Sequence, residues 1–216
     1  MKLTHWIMVV VVSALAAVVA VAEDMKPIQL PPPKTEGGKP LMQALKERQT
    51  MREFSVEKLP PQVLSDLLWA AAGINRADGK RTSPTAKNWQ EIDIYVAMAE
   101  GLYLYDPKKN ELTPVLKDDL RAATGKQEFV KDAPVNLVFV ADFAKMGSTT
   151  PQNDKELYAA TDTGYVSQNV YLYCASEGLA TVVRGWVDRE KLAQAMKLRP
   201  DQKIILAQTV GFPKKK

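Results

Sequence analysis

The chain has 216 residues, 46% of them hydrophobic, and a formal net charge of +4. It is therefore long enough for one domain with a sizeable core and too weakly basic to indicate nucleic-acid binding. It contains one histidine, His5, and one cysteine, Cys174, so an intrachain disulfide is excluded.

Residues 1–22 have the features of a secretory signal peptide. A short basic start precedes an apolar run from Trp6 to Val21, and Ala20-Val21-Ala22 supplies a small-x-small cleavage site. The run is shorter than the ~20 residues of a spanning helix, and an uncleaved anchor is the alternative interpretation. We therefore expect a periplasmic or secreted protein, with no stable membrane association unless the signal is retained.

Cleavage after Ala22 would remove His5 and leave 194 residues without a histidine. Hydrolases with a histidine base are then excluded, as are histidine-ligated zinc and haem sites, and no metal site is expected. Cys174 is predicted to be a buried helical thiol, because Tyr171, Leu172 and Ala175 surround it. Such a chain would need a bound cofactor to carry out redox or group-transfer chemistry. Without one, it would be a binding protein rather than an enzyme.

Residues 23–40 are rich in proline, glycine and charge, a composition typical of an extended arm rather than of a packed element. Pro40 then stands at the start of a helix that opens with Leu41. Because the remainder shows no repeat and no sign of a second domain, residues 41–216 are predicted to form a single domain.

Residues 48–54 place two fixed positive charges and a hydroxyl at alternate positions. Arg48, Thr50 and Arg52 would share one side of an extended segment, since alternate side chains of such a segment point the same way. Two cations beside a hydrogen-bonding oxygen suit a phosphate and an electron-rich ring edge. For this segment taken alone, a solvated charged loop after a helix is the competing interpretation.

The rest of the chain mixes helices with separated strands. A second helix, residues 63–72, ends at Gly73 and is followed by a polar loop, residues 74–90. Residues 156–178 predict a long helix that is buried because small and apolar residues occupy several of its faces. We predict an α+β fold with an antiparallel or mixed sheet. The predicted strands are residues 92–98, 101–105, 112–115, 135–140 and 204–210, and a short helix capped by Asp188 covers residues 188–196.

Several stretches, in order along the chain, resemble motifs of the nitroreductase-like family of FMN-dependent proteins. The family carries Arg-x-Ser-x-Arg near the start of its domain and a Pro-Ser-x-x-Asn-x-Gln loop. It also has a buried helix with a Gln-Asn pair, a Gly-Leu turn and a terminal Gly-Tyr-Pro. The similar stretches here are Arg48–Arg52, residues 81–90, residues 162–169, residues 177–181 and residues 210–213.

The resemblance implies an FMN-dependent oxidoreductase with a nitroreductase-like fold, a central sheet flanked by helices and a buried central helix. It assigns Arg48 to the FMN phosphate, and Thr50 and Arg52 to the ribityl and pyrimidine side. Arginine suits this role because its fork meets phosphate oxygens and its charge is permanent. The other implied FMN contacts are Ser83, Pro84, Thr85, Ala86 and Asn88 in the loop, and Gly178, Thr181, Val182, Arg184 and Lys214 nearer the end of the chain.

The same resemblance implies a homodimer and a two-step reaction. NADH or NADPH would give a hydride to the flavin, and a small organic acceptor would then take two electrons, so no catalytic side chain is required. Residues 101–107 are similar to the SagB-type dehydrogenase branch, which suggests oxidation of a peptide or small metabolite without nicotinamide. That branch has an adjacent Lys-Tyr pair, whereas Lys155 and Tyr158 are three residues apart here. A non-catalytic flavin-binding scaffold is the third alternative.

Overall fold

The computed structural model describes residues 25–215, so the leader predicted for residues 1–22 lies outside the described residues. Within this range no helix has the length and apolar character needed to cross a membrane. One seven-stranded sheet carries helices on both of its faces. The helices are α1 (Leu41–Glu47), α2 (Pro61–Ala72), α3 (Gln152–Glu177) and α4 (Arg189–Ala195), and the strands are β1 (Ile28–Gln29), β2 (Ile92–Met98), β3 (Gly101–Asp106), β4 (Glu111–Leu116), β5 (Val135–Asp142), β6 (Ala180–Arg184) and β7 (Gln202–Gly211).

The sheet has the order β1-β4-β3-β2-β5-β7-β6, and every neighbouring pair is antiparallel. The predicted α+β fold is confirmed, as are the β3–β4 hairpin and the cap that Asp188 gives α4. Strand β6 was not predicted as a strand. It lies at the sheet edge and contains three of the residues assigned to the cofactor, so its position decides where they point.

Two cores lie on opposite faces of the sheet, because side chains alternate along each strand. Phe139 of β5 packs with Leu67 of α2 in one core, under α2 and α3. The next residue, Val140, packs with Leu192 of α4 in the other. All eight residues of β5 are buried, so the centre of the sheet is covered on both faces.

The N-terminal arm is packed, in contrast to the prediction. Ile28 and Gln29 pair with β4, and the Leu30 side chain is only 3% exposed. The carbonyl of Pro31 then accepts hydrogen bonds from Ser65 and Asn110. The arm is extended, as its prolines favour, but it binds along the sheet edge and α2 because its backbone polar groups find partners there.

The central helix α3 differs from the prediction in length and in burial. It begins at Gln152, four residues before the predicted start. Leu157 and Tyr165 are 61% and 46% exposed, and no atom lies within 4 Å of the position that a Cβ on Gly164 would occupy. The predicted central helix is present and one of its faces is buried, with Ala159, Val166 and Val170 among the buried residues, whereas its other face lies open in the single chain.

Candidate functional site

The segment that carries Arg48, Thr50 and Arg52 runs along the edge strand β6. Helix α1 ends at Glu47, and Arg48 has the extended backbone angles φ −56° and ψ 119°. The Met51 amide donates to the Thr181 carbonyl at 3.0 Å, which adds the segment to the sheet edge. Of the three residues that the sequence groups on one wall, Arg48 lines a cavity beside β6 and Arg52 lines a different one.

Tyr171 of α3 holds this segment in place. Its hydroxyl accepts a hydrogen bond from the Val183 amide at 3.1 Å, so its proton is free to point to Thr50 Oγ1, 3.0 Å away. The Arg48 guanidinium lies over the Tyr171 ring, 5.2 Å from its centre. Tyr171 was missed in the sequence, because nothing in a long helix indicates that one tyrosine meets a segment 121 residues earlier.

A cavity of about 550 Å³ opens beside this wall and is predominantly cationic. Lys39, Lys46 and Arg48 line it against one carboxylate, Glu47, which pairs with Lys39 at 2.6 Å. Neither lysine was singled out in the sequence, and Lys39 reaches the cavity only because the arm is docked. The remaining lining residues are Gln49, Met51, Tyr171, Cys174, Ala175, Gly178, Leu179, Thr181 and Pro213.

Gly178 and Thr181, two of the residues that the resemblance assigns to FMN, line this cavity. Gly178 ends α3 with φ +70°, a conformation that favours glycine, and no atom lies within 4 Å of the position of a Cβ there. Val182 follows Thr181 on a strand, so its side chain points to the opposite face of the sheet. Val182 is not among the residues that line the cavity.

Lys214 lies at a different cavity from the one that Arg48 lines. Its amide donates to the Glu53 carbonyl at 3.2 Å, and Phe54 forms a bridge with Pro213. Arg52 and Lys214 line a second cavity of about 370 Å³, which also contains Asp132. The backbone pairing of Lys214 with Glu53 brings Lys214 to the cavity that Arg52 lines.

Arg184 does not join the others, and its predicted role at a phosphate is not supported by its position. The side chain is 4% exposed and lies on the sheet face opposite Thr181. It donates to Thr209 Oγ1 at 3.1 Å, to the Thr124 carbonyl at 2.8 Å and to Asn136 Oδ1 at 3.0 Å. Burial lowers the pKa of the guanidinium to about 10, so it stays charged at neutral pH within a structural network.

The loop of residues 81–91 contacts α3 at a different point. The Ala86 amide donates to Asp162 Oδ2 at 2.9 Å, nine residues before Tyr171 and hence about 13 Å away along the helix axis. Ser83 is buried, and Pro84 and Asn88 are exposed. Within one chain, the structure therefore does not bring the loop's predicted contacts to the cavity of Arg48.

Other polar residues singled out in the sequence have ordinary surroundings. The Asn88 side-chain oxygen accepts from Gln90 Nε2 at 3.1 Å, and Lys155 Nζ donates to the Phe143 carbonyl at 3.2 Å. Tyr158 packs edge-on against Trp89, with 5.7 Å between ring centres. Burial raises the pKa of the Cys174 thiol, which confirms the predicted buried cysteine and disfavours a thiolate at neutral pH.

The sequence and the structure of this chain were compared with those of known proteins, and related chains were found by both comparisons. The model of the nitroreductase family matches residues 45–212. A relative from Methanocaldococcus jannaschii, named as a nitroreductase, is 30% identical over 74% of this chain and 85% of its own length. A solved structure described as a nitroreductase from Ralstonia eutropha is 45% identical, with a TM-score of 0.85, and covers 89% of this chain and 91% of that one. A structure from Desulfovibrio desulfuricans, described as a nitroreductase in complex with FMN, shares the fold at 21% identity and a TM-score of 0.61, over 83% of this chain and 89% of that one.

Proposed function

The chain belongs to the nitroreductase family of FMN-dependent oxidoreductases, and we propose that it transfers a hydride from NADH or NADPH to a small organic acceptor. The observation that carries this proposal is the cationic cavity between α1, α3 and β6, where Arg48 and Thr50 are held against Tyr171. Except for Lys39 and Pro213, the residues that line this cavity lie within the region that the family model matches.

The residues at this cavity fit FMN. Arg48, Lys39 and Lys46 line the cavity and offer positive charge for a phosphate. Thr50 is not a lining residue, but its hydroxyl is bonded to the lining residue Tyr171 and is available for a ribityl chain that extends past it. The open space over Gly178 lets a ligand approach the backbone closely. A volume of about 550 Å³ is in the usual range for a cofactor site.

The protein's part in the reaction is to bind, orient and neutralise charge. Bound FMN supplies a ring that takes up a hydride and passes it on. The second cavity is lined by the cations Arg52, Lys214 and Lys215 against the carboxylates Glu53 and Asp132, and its net positive charge would favour a reduced, anionic ring over a neutral one. No covalent step by a side chain is needed, in keeping with a described chain that has no histidine and a buried thiol.

We propose that the protein is a homodimer that pairs through α1 and the open face of α3. Five of the seven exposed large hydrophobic side chains in residues 25–215 lie on these two helices. Gly164 allows close approach of a second helix. In a single chain the loop of residues 81–91 does not reach the cavity of Arg48. In the proposed dimer, the loop of the second copy would approach that cavity instead. The five side chains are Leu41, Met42, Leu45, Leu157 and Tyr165.

Substitution at Gly164 tests the dimer. Gly164→Arg should fold, because the position is open in the single chain and arginine favours helix more than glycine does. It should shift the protein from dimer to monomer in sedimentation velocity. A wild-type protein that sediments as a monomer would contradict the proposal, and so would an unchanged dimer in the variant.

We also propose that the protein acts in the periplasm or outside the cell, on the basis of residues 1–22. Nicotinamide cofactors are scarce there, so a different reductant is the alternative donor. The first test is the visible spectrum of the purified protein, followed by anaerobic titration with NADPH and NADH. Flavin bands that bleach support the proposed donor, bands that persist favour another reductant, and a colourless protein that does not take up added FMN would overturn the cofactor assignment.

A further inference from the structure

Glu91 is a fully buried carboxyl group at the end of the 81–91 loop. It is 0% exposed, and neither of its side-chain oxygens accepts a hydrogen bond from an N–H or hydroxyl group. Its backbone carbonyl accepts from the Asp142 amide at 2.9 Å, so its position is set by β5. An ionised carboxylate in such a place would be very costly, which indicates that the group is neutral or shares a proton.

Asp162 of α3 is the partner for that proton. It is 2% exposed, and its Oδ2 accepts from the Ala86 amide, in the same loop, at 2.9 Å. Burial and hydrogen bonding to Asp162 raise the pKa of Glu91 to about 7. The other charged groups that act on Glu91 are Lys145, which follows β5, and Arg81 of the loop itself. Both are cations, and neither bonds to the Glu91 side chain.

The loop between these two carboxyls has a strained backbone. Lys87, Asn88 and Gln90 have φ of +50°, +54° and +51°, which are unfavourable values for residues with a Cβ. The Gln90 amide donates to Thr85 Oγ1 at 3.1 Å, but this bond stays within the loop. A conformation of this kind persists only when the surrounding structure fixes it, and the contact from Ala86 to Asp162 is such a fixing point.

We propose that Glu91 donates a proton-bearing hydrogen bond to Asp162, and that this pair fastens the 81–91 loop to α3 in the conformation that receives FMN. Glu91 and Asp162 are positioning residues that act through the backbone of Ser83–Ala86. The inference rests on the proposed function in that the loop is taken to contact the cofactor. Beyond that function, the inference requires that Glu91 carries a proton when the loop is in the conformation that binds FMN.

If Glu91 and Asp162 share a proton, the binding of FMN should depend on pH, which a purely structural role of the two residues would not produce. Below pH 7, Glu91 carries the proton and Asp162 accepts from both Glu91 and Ala86. Above pH 7, Glu91 loses this proton, no donor stabilises its buried charge and the hydrogen bond to Asp162 is lost, so the loop loosens and FMN binds more weakly. Glutamine at position 91 stays neutral at every pH and keeps an N–H to donate, so Glu91→Gln should remove the pH dependence.

The experiment compares FMN dissociation constants, from quenching of flavin fluorescence, between pH 6 and 8.5 in wild type, Glu91→Gln and a matched control, Glu190→Gln. Glu190 is an exposed glutamate of α4, on the other face of the sheet. We expect the dissociation constant of wild type and control to rise about tenfold from pH 7 to 8.5, and that of Glu91→Gln to stay level. The titration of the FMN phosphate is common to all three and cancels in their ratio. Equal slopes in wild type and Glu91→Gln would overturn the inference.

Amide hydrogen exchange of residues 83–90 in the cofactor-free protein separates this inference from the proposed function. After correction for intrinsic rates, exchange should accelerate above pH 7 in wild type and not in Glu91→Gln. That result in a protein that never binds FMN would support the pair and overturn the proposed cofactor. If Glu91→Gln does not fold, Asp162→Asn replaces it, because an asparagine can accept from Ala86 and donate to an ionised Glu91. An exchange rate that accelerates equally in wild type and the folded variant would overturn the pair.

Discussion

Arg48 lies half-buried at the wall of a solvent-open cavity, whereas Arg184 lies sealed beneath the opposite face of the same sheet. The Arg48 guanidinium rests on an aromatic ring and, among the described residues, is in no ion pair. The donors of Arg184 are directed at Thr124, Asn136 and Thr209. The comparison teaches that a cation available to a ligand is weakly engaged by its own chain, and that one with every donor engaged stabilises the fold instead.

The largest expected effect is on stability, at the sealed site. Arg184→Met should lower the free energy of unfolding by about 4 kcal/mol, because the buried oxygens of Thr124, Asn136 and Thr209 lose their donors. Chemical denaturation measures it. Lys203→Met, at an exposed cation of β7, is the control and should change stability by less than about 1 kcal/mol. A loss below about 1 kcal/mol in Arg184→Met would show that the network is not structural.

The second effect concerns Glu91, which is a buried acidic group. Because the folded chain holds its proton more tightly than the unfolded chain does, the free energy of unfolding should fall as pH rises from 4.5 to about 7. The loss that this one group contributes is about 3 kcal/mol. Glu91→Gln should lack this part of the slope, so its stability relative to wild type should increase with pH over that range. Thermal melts at several pH values measure the difference, and parallel curves would contradict it.

The third effect is on binding, at the open site. Arg48→Gln should weaken FMN binding about 30-fold, or about 2 kcal/mol, since a phosphate loses a charged donor. The free energy of unfolding should change by less than about 1 kcal/mol, because Arg48 makes a single ring contact in the described chain. Calorimetric titration and denaturation of the same variant give both numbers. A large loss of stability without a loss of affinity would reverse the roles assigned to Arg48 and Arg184.

The smallest effect is expected where the two regions are joined, at Tyr171. Tyr171→Phe leaves the Val183 amide without its acceptor and Thr50 without its donor. Stability should fall by about 1 kcal/mol and FMN affinity by about threefold. Denaturation and fluorescence titration measure these changes. If affinity is unaffected, Thr50 is held by the backbone pairing of Met51 alone.

Much of the fold could be predicted from local pattern. The β3–β4 hairpin, the strands β2, β5 and β7 and the cap at Asp188 follow from β-branched runs, turn residues and a favourable cap. The arm was predicted wrongly, because composition reports that a segment is extended but not whether a sheet edge is available to pair with it. The open face of α3 was missed for a related reason, since small and apolar residues on several faces suit an interface between chains as well as a core.

The sequence by itself determined the family and most of the sheet-forming segments, and it singled out Arg48. These are properties of neighbouring residues, which bond geometry relates directly. Only the tertiary structure decided that Tyr171 meets Thr50, that Arg184 faces away from the cavity and that Glu91 is buried against Asp162. The sequence shows which residues carry a charge. The free energy of each charge, however, depends on the water and the hydrogen-bond partners around it, and contacts between distant segments set both.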